Sequence, residues 1–587
     1  MKLLTATALC AASLLRGEDY VLGPDSQPKD GVPKGAVTKY VLRPGKFFPG
    51  TPHDYSIYVP AQYDAAKPAP VLIYLDGGGG LSNSTRVNVV LDNLIARGEL
   101  PAMIGIFINP GVLPAVSEKA QSRFERVFEY DSLSDRFARF LSEEVLVEVG
   151  KKYNLSSDPN ARAITGVSTG AVGAFMAAWN RPDQFRRVLS FIGTFVAMKG
   201  ADGLPAIIRK SEPKPLRVFL QAGKNDHIVP AQPYGTFFAG SWPIASQVMY
   251  EALQSVGTES KLVIGTEGHN MKHGSAIMPE ALRWLWSGYP EPIKVHEPAA
   301  VTQPGWDGRG KVLSTVWLDK GWQQIAESVG ALTSPVAHRD GSVFFADGAS
   351  DRIWRVDGDG KASVFREQTA GVRAIAIGPK GLYAWQPAMH RIVAWDWNNS
   401  MAVIANNVEA PHFTVSADGV VYFTDGAHGK AGWVDTGGRV HETGVEMAAP
   451  AGITLSPDQA MVVISDEVGR LAWSFQVAPD GSLRNGEPFY RLEMPESGWK
   501  SAAVGVAEDS IGQVYFATAI GIQVCEANGR LAMILHAPER GEVTSVAFGG
   551  PEMNWMFATV RGHLFRRPAK VKGVGGWAPA ALPRPPL

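Results

Sequence analysis

The chain has little cysteine, almost no imbalance of charge and no long uncharged apolar run. Only Cys10 and Cys525 occur among 587 residues, which excludes a disulfide framework and a thiolate metal site. Lys plus Arg total 56 against 57 for Asp plus Glu, a balance that offers no electrostatic footprint for nucleic acid or an anionic membrane. No stretch approaches the ~20 apolar residues of a membrane-spanning helix. We therefore expect a protein that neither binds nucleic acid nor spans a membrane.

The first residues form the one short apolar stretch with a cation before it. Lys2 precedes a run of Leu, Thr and Ala that ends in small residues near Ser13. This pattern is typical of a secretory signal, which we place at residues 1–17. The alternative is a hydrophobic N-terminus that is not a signal. Leu9 directly before Cys10 fits a lipoprotein cleavage site poorly. We expect export to the periplasm or the extracellular space without an anchor.

Residues 38–292 alternate short apolar runs with longer segments of helical periodicity. Val71–Leu75, Met103–Ile108 and Arg217–Leu220 are typical of buried strands, whereas 89–97 and 137–149 carry apolar residues at helical spacing. Strands that alternate with helices favour βαβ units and a mostly parallel sheet. The first half is predicted to be an α/β domain.

A Pro- and Gly-bearing connector at residues 293–312 separates this half from a different pattern. Over residues 313–570 a strand, a turn of the Asp-Gly type and a second strand recur about every 40 residues, with one longer step. The matched positions are Phe345, Tyr383, Phe423, Val463, Phe516 and Phe557. This spacing predicts six four-stranded propeller blades rather than a β-sandwich, followed by a Pro-rich tail at residues 571–587.

The first half contains the pattern G-x-S-x-G at Gly166–Gly170, with Ser168 at its centre. An apolar strand precedes it and an Ala-rich helix, residues 171–179, follows. This context is what a nucleophile elbow needs, because small residues let a strained turn present the hydroxyl above the sheet. The alternative is a Gly-rich turn with an idle serine. We predict that Ser168 is a nucleophile.

A serine hydroxyl needs a general base and a group that orients the base. In α/β-hydrolases these follow the nucleophile as acid and then histidine. Among Asp183, Asp202 and Asp226, only Asp226 directly follows a strand, at the carboxyl end where sites collect. His269 also follows a strand, whereas His273 lies four residues later and is predicted to line the pocket or cap the next helix. We favour Asp226 as acid and His269 as base.

A run of glycines follows the first buried strand, in Tyr74-Leu-Asp-Gly-Gly-Gly-Gly80. The amides of Gly77 and Gly78, together with that of Thr169 after the nucleophile, are predicted to hold a developing oxyanion. Phosphate binding is the competing interpretation, but the run lacks the lysine of a P-loop.

Three segments make the first half similar to a family of esterases that includes enterochelin-type and feruloyl-type enzymes. They are Glu129-Tyr-Asp-Ser-Leu-Ser-Asp-Arg-Phe137, the elbow Gly166–Gly170, and the stretch from Gly268 to Trp286. The resemblance implies an α/β-hydrolase that cleaves carboxylic esters, often of acylated sugars or siderophores. It also implies the roles of Ser168, Asp226 and His269 given above.

The repeats resemble the six-bladed propellers of the gluconolactonase/senescence-marker family. The resemblance implies one divalent cation on the channel axis, held by a Glu, two Asn and an Asp. The corresponding positions here read Ser334, His412, Ala451 and Val504. These side chains cannot supply the several oxygen ligands of a hard cation. We therefore predict no metal site and no cofactor, although a small shift of register would bring a carboxylate such as Asp509 into play.

Together these features predict an exported serine esterase in which an α/β-hydrolase domain precedes a propeller. The propeller is expected to serve as a binding or scaffold domain. The expected partner is a small-molecule or carbohydrate ester. Two alternatives stay open: a bifunctional esterase and sugar lactonase, or a non-catalytic carbohydrate-binding protein.

Overall fold

The computed structural model describes residues 20–119, 121–197, 199–226, 240–296, 315–317, 320–326, 332–496 and 498–583. The predicted signal at 1–17 and most of the predicted connector at 293–312 lie outside these residues. The chain divides into two compact units. The first comprises residues 1–205 and 214–296, and the second comprises 206–213 and 297–587. Each is described by itself.

The first unit is built on an eight-stranded sheet in the order β1-β2-β4-β3-β7-β8-β9-β10. Six neighbouring strands pair in parallel, in the order β4, β3, β7, β8, β9 and β10. β1 and β2 extend one edge of the sheet in antiparallel pairs. The strands are β1 Ala36–Leu42, β2 His53–Val59, β3 Val71–Leu75, β4 Ile104–Ile108, β7 Arg162–Val167, β8 Arg187–Phe191, β9 Arg217–Gly223 and β10 Glu259–Gly265, and a separate hairpin is formed by β5 Val112–Leu113 and β6 Arg123–Phe124. The predicted mostly parallel sheet is confirmed.

Helices cover the central strands of this sheet. The helices of the first unit are α1 Gly77–Gly80, α2 Val87–Ala96, α3 Arg126–Tyr130, α4 Arg136–Phe140, α5 Leu146–Gly150, α6 Thr169–Asn180, α8 Trp242–Ser255, α9 Lys272–Ala276 and α10 Met278–Trp286. Most of α7, Leu204–Lys210, falls in residues 206–213, which belong to the second unit. A π-helical turn, Leu141–Val145, lies between α4 and α5. Alternate residues of β3 and β8, such as Leu72, Tyr74 and Phe191, share one buried cluster with side chains of α2 and α10. β3 and β4 are buried along their whole length, which explains their uninterrupted apolar sequences.

Within the described residues, the second unit consists of six four-stranded antiparallel sheets, as the repeat predicted. The matched aromatic and apolar positions of the repeat all lie on the second strand of a blade. The blades in chain order are β12 Leu332–Ala337, β13 Val343–Asp347, β14 Arg352–Val356 and β15 Ala362–Glu367; β16 Ala374–Gly378, β17 Gly381–Gln386, β18 Arg391–Trp395 and β19 Met401–Asn406; β20 His412–Val415, β21 Val421–Asp425, β22 Lys430–Val434 and β23 Val440–Glu442; β24 Pro450–Leu455, β25 Met461–Asp466, β26 Leu471–Val477 and β27 Leu483–Arg491; β28 Gly505–Glu508, β29 Val514–Thr518, β30 Gly521–Cys525 and β31 Leu531–Leu535; and β32 Val543–Gly549, β33 Trp555–Val560 and β34 His563–Pro568, completed by β11 Gln323–Ala326.

Both ends of the second unit contribute to its last blade. β11, the first strand of the unit, pairs antiparallel with β34, the last. The ring is therefore closed by backbone hydrogen bonds between segments more than 200 residues apart. Closure of this kind joins the beginning and the end of the propeller in one blade.

The stretch predicted as a tail packs on the propeller as far as residue 583. Its Trp577 indole N–H donates to the carbonyl of Ala337 over 2.8 Å, and the Ala581 amide donates to the carbonyl of Pro457 over 2.9 Å. Residues 574–576 help to line a cavity of about 160 Å³ among the inner strands of the blades. Ala337 and Pro457 lie at the carboxyl ends of β12 and β24, so this stretch crosses that end of the channel.

Among the described residues, no helix combines the length and the apolar character that crossing a membrane requires.

Candidate active site

The turn that carries Ser168 has the strained geometry of a nucleophile elbow. β7 ends at Val167, α6 begins at Thr169, and Ser168 between them has φ 59° and ψ −120°. An L residue in such a conformation stores of order 1–3 kcal/mol. A Cβ on Gly166 would lie 2.0 Å from the Gly170 carbonyl oxygen, so the first glycine of the pattern is a steric requirement. The predicted strand, turn and helix are thus present.

Asp226, His269 and Ser168 form one continuous hydrogen-bonded chain. The Ser168 hydroxyl lies 2.9 Å from Nε2 of His269, and Nδ1 of His269 lies 2.9 and 3.0 Å from the two carboxylate oxygens of Asp226. A carboxylate only accepts, so Nδ1 carries the proton and Nε2 is left to accept from the serine. The Asp226 side chain is fully buried, whereas that of His269 is 22% exposed. The three residues come from the ends of β7, β9 and β10.

The neighbouring histidine has different surroundings. His273 lies on α9, is 3% exposed, and its Nδ1 lies 3.1 Å from the Gln221 side-chain amide. Its ring packs on Tyr20 with centroids 4.3 Å apart. Among the described residues, the histidine that hydrogen-bonds to Ser168 is His269 and not His273. Its predicted place in the pocket stays a prediction.

The glycine run forms the short helix α1 at the end of β3. A Cβ on Gly77 would lie 2.2 Å from the backbone carbonyl carbon of Phe107, so only glycine fits there. The Gly78 amide donates to Oδ1 of Asn109 over 3.0 Å and is therefore already engaged. The Thr169 amide is at the first position of α6, directly after Ser168.

An ion pair that the sequence did not reveal connects this run to the elbow. Arg126 donates from Nε and Nη2 to the two oxygens of Asp76 over 2.8 and 2.7 Å, and from Nη2 to the Val167 carbonyl over 3.1 Å. The Tyr130 hydroxyl accepts from the Asp76 amide at 3.3 Å. Arg126 thus joins the residue before Gly77 to the residue before Ser168. Of the three segments on which the resemblance rests, only Glu129–Phe137 lies close to this cluster in sequence, since it contains Tyr130.

Both halves of the chain match known families. Residues 49–264 match the family model described as "Putative esterase", and residues 331–562 match that of the SMP-30/gluconolactonase/LRE-like region. The chain joins an esterase-family domain to a gluconolactonase-like propeller.

Individual proteins are similar to parts of this chain. An iron(III) enterobactin esterase of Dickeya dadantii (strain 3937) is 23% identical over 247 residues, which are 40% of this chain and 51% of the relative. The chain thus spans about half the length of that relative. Among solved structures, an enterobactin esterase from Shigella flexneri is 20% identical over 44% of this chain and 62% of its own, with a TM-score of 0.34. A gluconolactonase from Xanthomonas campestris is 17% identical over 44% and 92%, with a TM-score of 0.38.

The esterase domain contains two further polar residues close to Ser168 that the sequence did not point to. The Thr194 hydroxyl lies 3.0 Å from that of Ser168, and the Trp242 indole N–H donates to the Thr194 hydroxyl over 3.3 Å. The Trp242 ring also meets that of His269 edge-on, with centroids 5.6 Å apart. Neither residue belongs to a motif that spacing alone would identify.

In the gluconolactonase-like propeller, the four positions compared with a cation site lie on or next to the starts of inner strands. Ser334 is on β12, His412 begins β20, Ala451 is on β24, and Val504 directly precedes β28. Burial lowers the pKa of His412 to about 4, so its imidazole is neutral at pH 7. Asp509 instead follows the far end of β28, where its carboxylate accepts from the amides of its own turn and from the Tyr515 hydroxyl. A small register shift therefore does not bring Asp509 to the strand start.

Proposed function

We propose that this protein is a serine esterase in which Ser168 is the nucleophile, His269 the general base and Asp226 the residue that orients the base. The hydrogen-bonded chain from Asp226 through His269 to Ser168 is the observation that carries the proposal. It supplies the activation that a serine hydroxyl needs, in the geometry of a nucleophile elbow.

The reaction proceeds in two half-reactions. The Ser168 oxygen attacks the ester carbonyl while its proton passes to Nε2 of His269, and the buried Asp226 carboxylate stabilises the imidazolium. His269 then protonates the departing alcohol as the carbon–oxygen bond breaks, which leaves an acyl-enzyme on Ser168. Water, deprotonated by His269, attacks the acyl carbon. The bond between that carbon and the Ser168 oxygen breaks, His269 returns the proton to the serine oxygen, and the carboxylic acid leaves.

The amides of Gly77 and Thr169 hold the oxyanion of each tetrahedral intermediate. Gly78 is the weaker candidate, because its amide already donates to Asn109. The Asp76–Arg126 pair fixes the position of the glycine run relative to the elbow, as a preorganised oxyanion site requires.

The substrates are carboxylic esters of small molecules, with acylated carbohydrates, feruloyl esters and siderophore esters as the first classes to test. A match to the esterase family and the likeness to an enterobactin esterase support this range. The propeller serves as a binding or positioning domain, and the chain is exported through its first 17 residues. N-terminal sequencing of the protein from a periplasmic or culture fraction tests the export.

The decisive experiment is labelling with a fluorophosphonate, followed by an ester panel. The intact chain should be labelled at Ser168 and should hydrolyse activated esters. Ser168→Ala should lose labelling and at least about 10⁴-fold in kcat, because the covalent step is removed. Ser84→Ala, at an exposed serine of the same domain, is the control. Wild-type turnover in Ser168→Ala would rule out this mechanism.

A further inference from the structure

The end of β8 and the loop after it hold Ser168 at three points. The Ser168 amide donates to the Phe191 carbonyl over 3.0 Å, and the Thr194 amide donates to the Ser168 carbonyl over 3.2 Å. The third contact is the one between the two hydroxyls, at 3.0 Å. Since Ser168 has a positive φ, its backbone needs outside support to keep this conformation. The end of β8 and the loop after it therefore support both the backbone and the side chain of Ser168.

The direction of the hydroxyl contact follows from the partners on either side. The Trp242 indole N–H can only donate, so the Thr194 oxygen accepts from it. The Ser168 proton points at His269 Nε2, which must accept because Nδ1 donates to Asp226. The Thr194 proton is then directed at the Ser168 oxygen. A single donor-to-acceptor order runs from Trp242 through Thr194, Ser168 and His269 to Asp226.

We propose that Thr194 is a positioning residue for the nucleophile and that Trp242 acts through it. This inference rests on the serine-esterase function proposed above. By donating to Ser168, the Thr194 hydroxyl excludes the rotamers in which the serine proton points away from His269. The same donor faces the negative charge that grows on the serine oxygen as its proton leaves. Thr194 is only 1% exposed, so bulk water has no ready access to replace its hydroxyl.

The role of Trp242 is to set the direction of the Thr194 proton. Without the indole donor, the threonine hydroxyl can rotate and compete as an acceptor for the serine proton. That state would withdraw the proton from His269. The loss should therefore appear in the rate of the chemical step and not in substrate affinity, provided that the ring itself is retained.

Four variants of the full chain test this order of donors. Thr194→Val keeps the side-chain shape without the hydroxyl, and we expect kcat to fall at least about tenfold with KM within about twofold. Thr194→Ser keeps the donor and should recover kcat to within about threefold of wild type. Trp242→Phe should give an intermediate loss. It should cause no further loss when combined with Thr194→Val, since residues that act in series are not additive.

The rate of fluorophosphonate labelling gives a second readout, because it reports on the serine without deacylation. It should fall in parallel with kcat in Thr194→Val and recover in Thr194→Ser. Thermal unfolding of each variant separates a fold defect from a positioning defect. If Thr194→Val does not fold, the comparison of Thr194→Ser with Trp242→Phe decides.

Three results would overturn the proposal. Thr194→Val with wild-type kcat would show that the hydroxyl is dispensable, and additive losses in the double variant would show that Trp242 acts by another route. Equal losses in Thr194→Ser and Thr194→Val would show that the methyl packing matters and not the donor. Failure of the underlying function is distinguishable, because then the wild-type chain itself would be neither labelled nor active, and the positioning role would fall with it.

Discussion

His269 and His273 lie four residues apart but have different hydrogen-bond partners. His269 joins Ser168 to Asp226, whereas His273 is buried on α9 against Gln221. We expect His269→Ala to lose about 10³-fold or more in kcat, because no base remains for the serine proton. His273→Ala should lose less than about tenfold in kcat but should lower the melting temperature, because a buried polar contact is removed. Steady-state kinetics and thermal melts of both variants check this. A reversal of the two kinetic effects would assign the base to His273.

A buried carboxyl near the site should make stability depend on pH. Burial raises the pKa of Asp131 to about 6 despite the nearby Lys199 and Arg126. Between about pH 4 and pH 6 the folded state binds this proton more readily than the unfolded chain, so stability falls as pH rises through that window. Asp131→Asn stays neutral and should remove this part of the decline. Its melting temperature should exceed that of wild type at pH 7 and equal it near pH 4.

Asp183 is the control for this effect because its shift has the opposite sign. Although burial acts to raise its pKa, hydrogen bonds from Arg181 hold it below the ordinary value. Its ionised form is therefore favoured by folding, and Asp183→Asn should lower the melting temperature at pH 7. A higher melting temperature in both variants would indicate a general effect of lost charge.

At the scale of elements, the short helix α1 is placed by contact between backbones. Gly77 leaves no room for a Cβ against β4, whereas a Cβ on Gly79 would meet nothing within 4 Å. Gly77→Ala should displace α1 and the predicted oxyanion amide, with a loss of at least about tenfold in kcat. Its melting temperature should also fall, since such overpacking costs typically 1–3 kcal/mol. Gly79→Ala should keep nearly wild-type values of both. Similar losses in the two variants would contradict this close approach.

At the scale of the whole molecule, we expect ester hydrolysis to be independent of divalent metal. Ser334, His412, Ala451 and Val504 supply no carboxylate at the strand starts, and His412 is neutral at pH 7. A hard cation would have no formal negative charge to hold it there. Chelator treatment of the full chain should leave kcat unchanged, and elemental analysis should find less than one tightly held ion per chain. Lactone hydrolysis restored by calcium, manganese or zinc would contradict this and favour the bifunctional alternative.

Local sequence patterns were sufficient for most of the architecture. Uninterrupted apolar runs mark strands buried on both faces, and a repeat of about 40 residues reflects one blade at a time. The strand, elbow and helix around Ser168 were likewise predicted, because a strained turn between regular elements has its own glycine signature. The placement of Asp226 and His269 followed from parallel strands, whose carboxyl ends meet at one edge of the sheet.

Contacts between distant segments were decided by the tertiary structure. Thr194, Trp242 and Arg126 lie 26 to 74 residues from Ser168, and a lone polar residue has no periodicity to mark it. The same is true of the packing of residues 571–583 on the propeller, which composition suggested was a tail. The sequence by itself determined the elements, the repeat and the elbow turn at Ser168, because these depend on neighbouring residues. Only the tertiary structure decided which side chains hydrogen-bond to Ser168, because those hydrogen bonds exist only once separate strands are brought together.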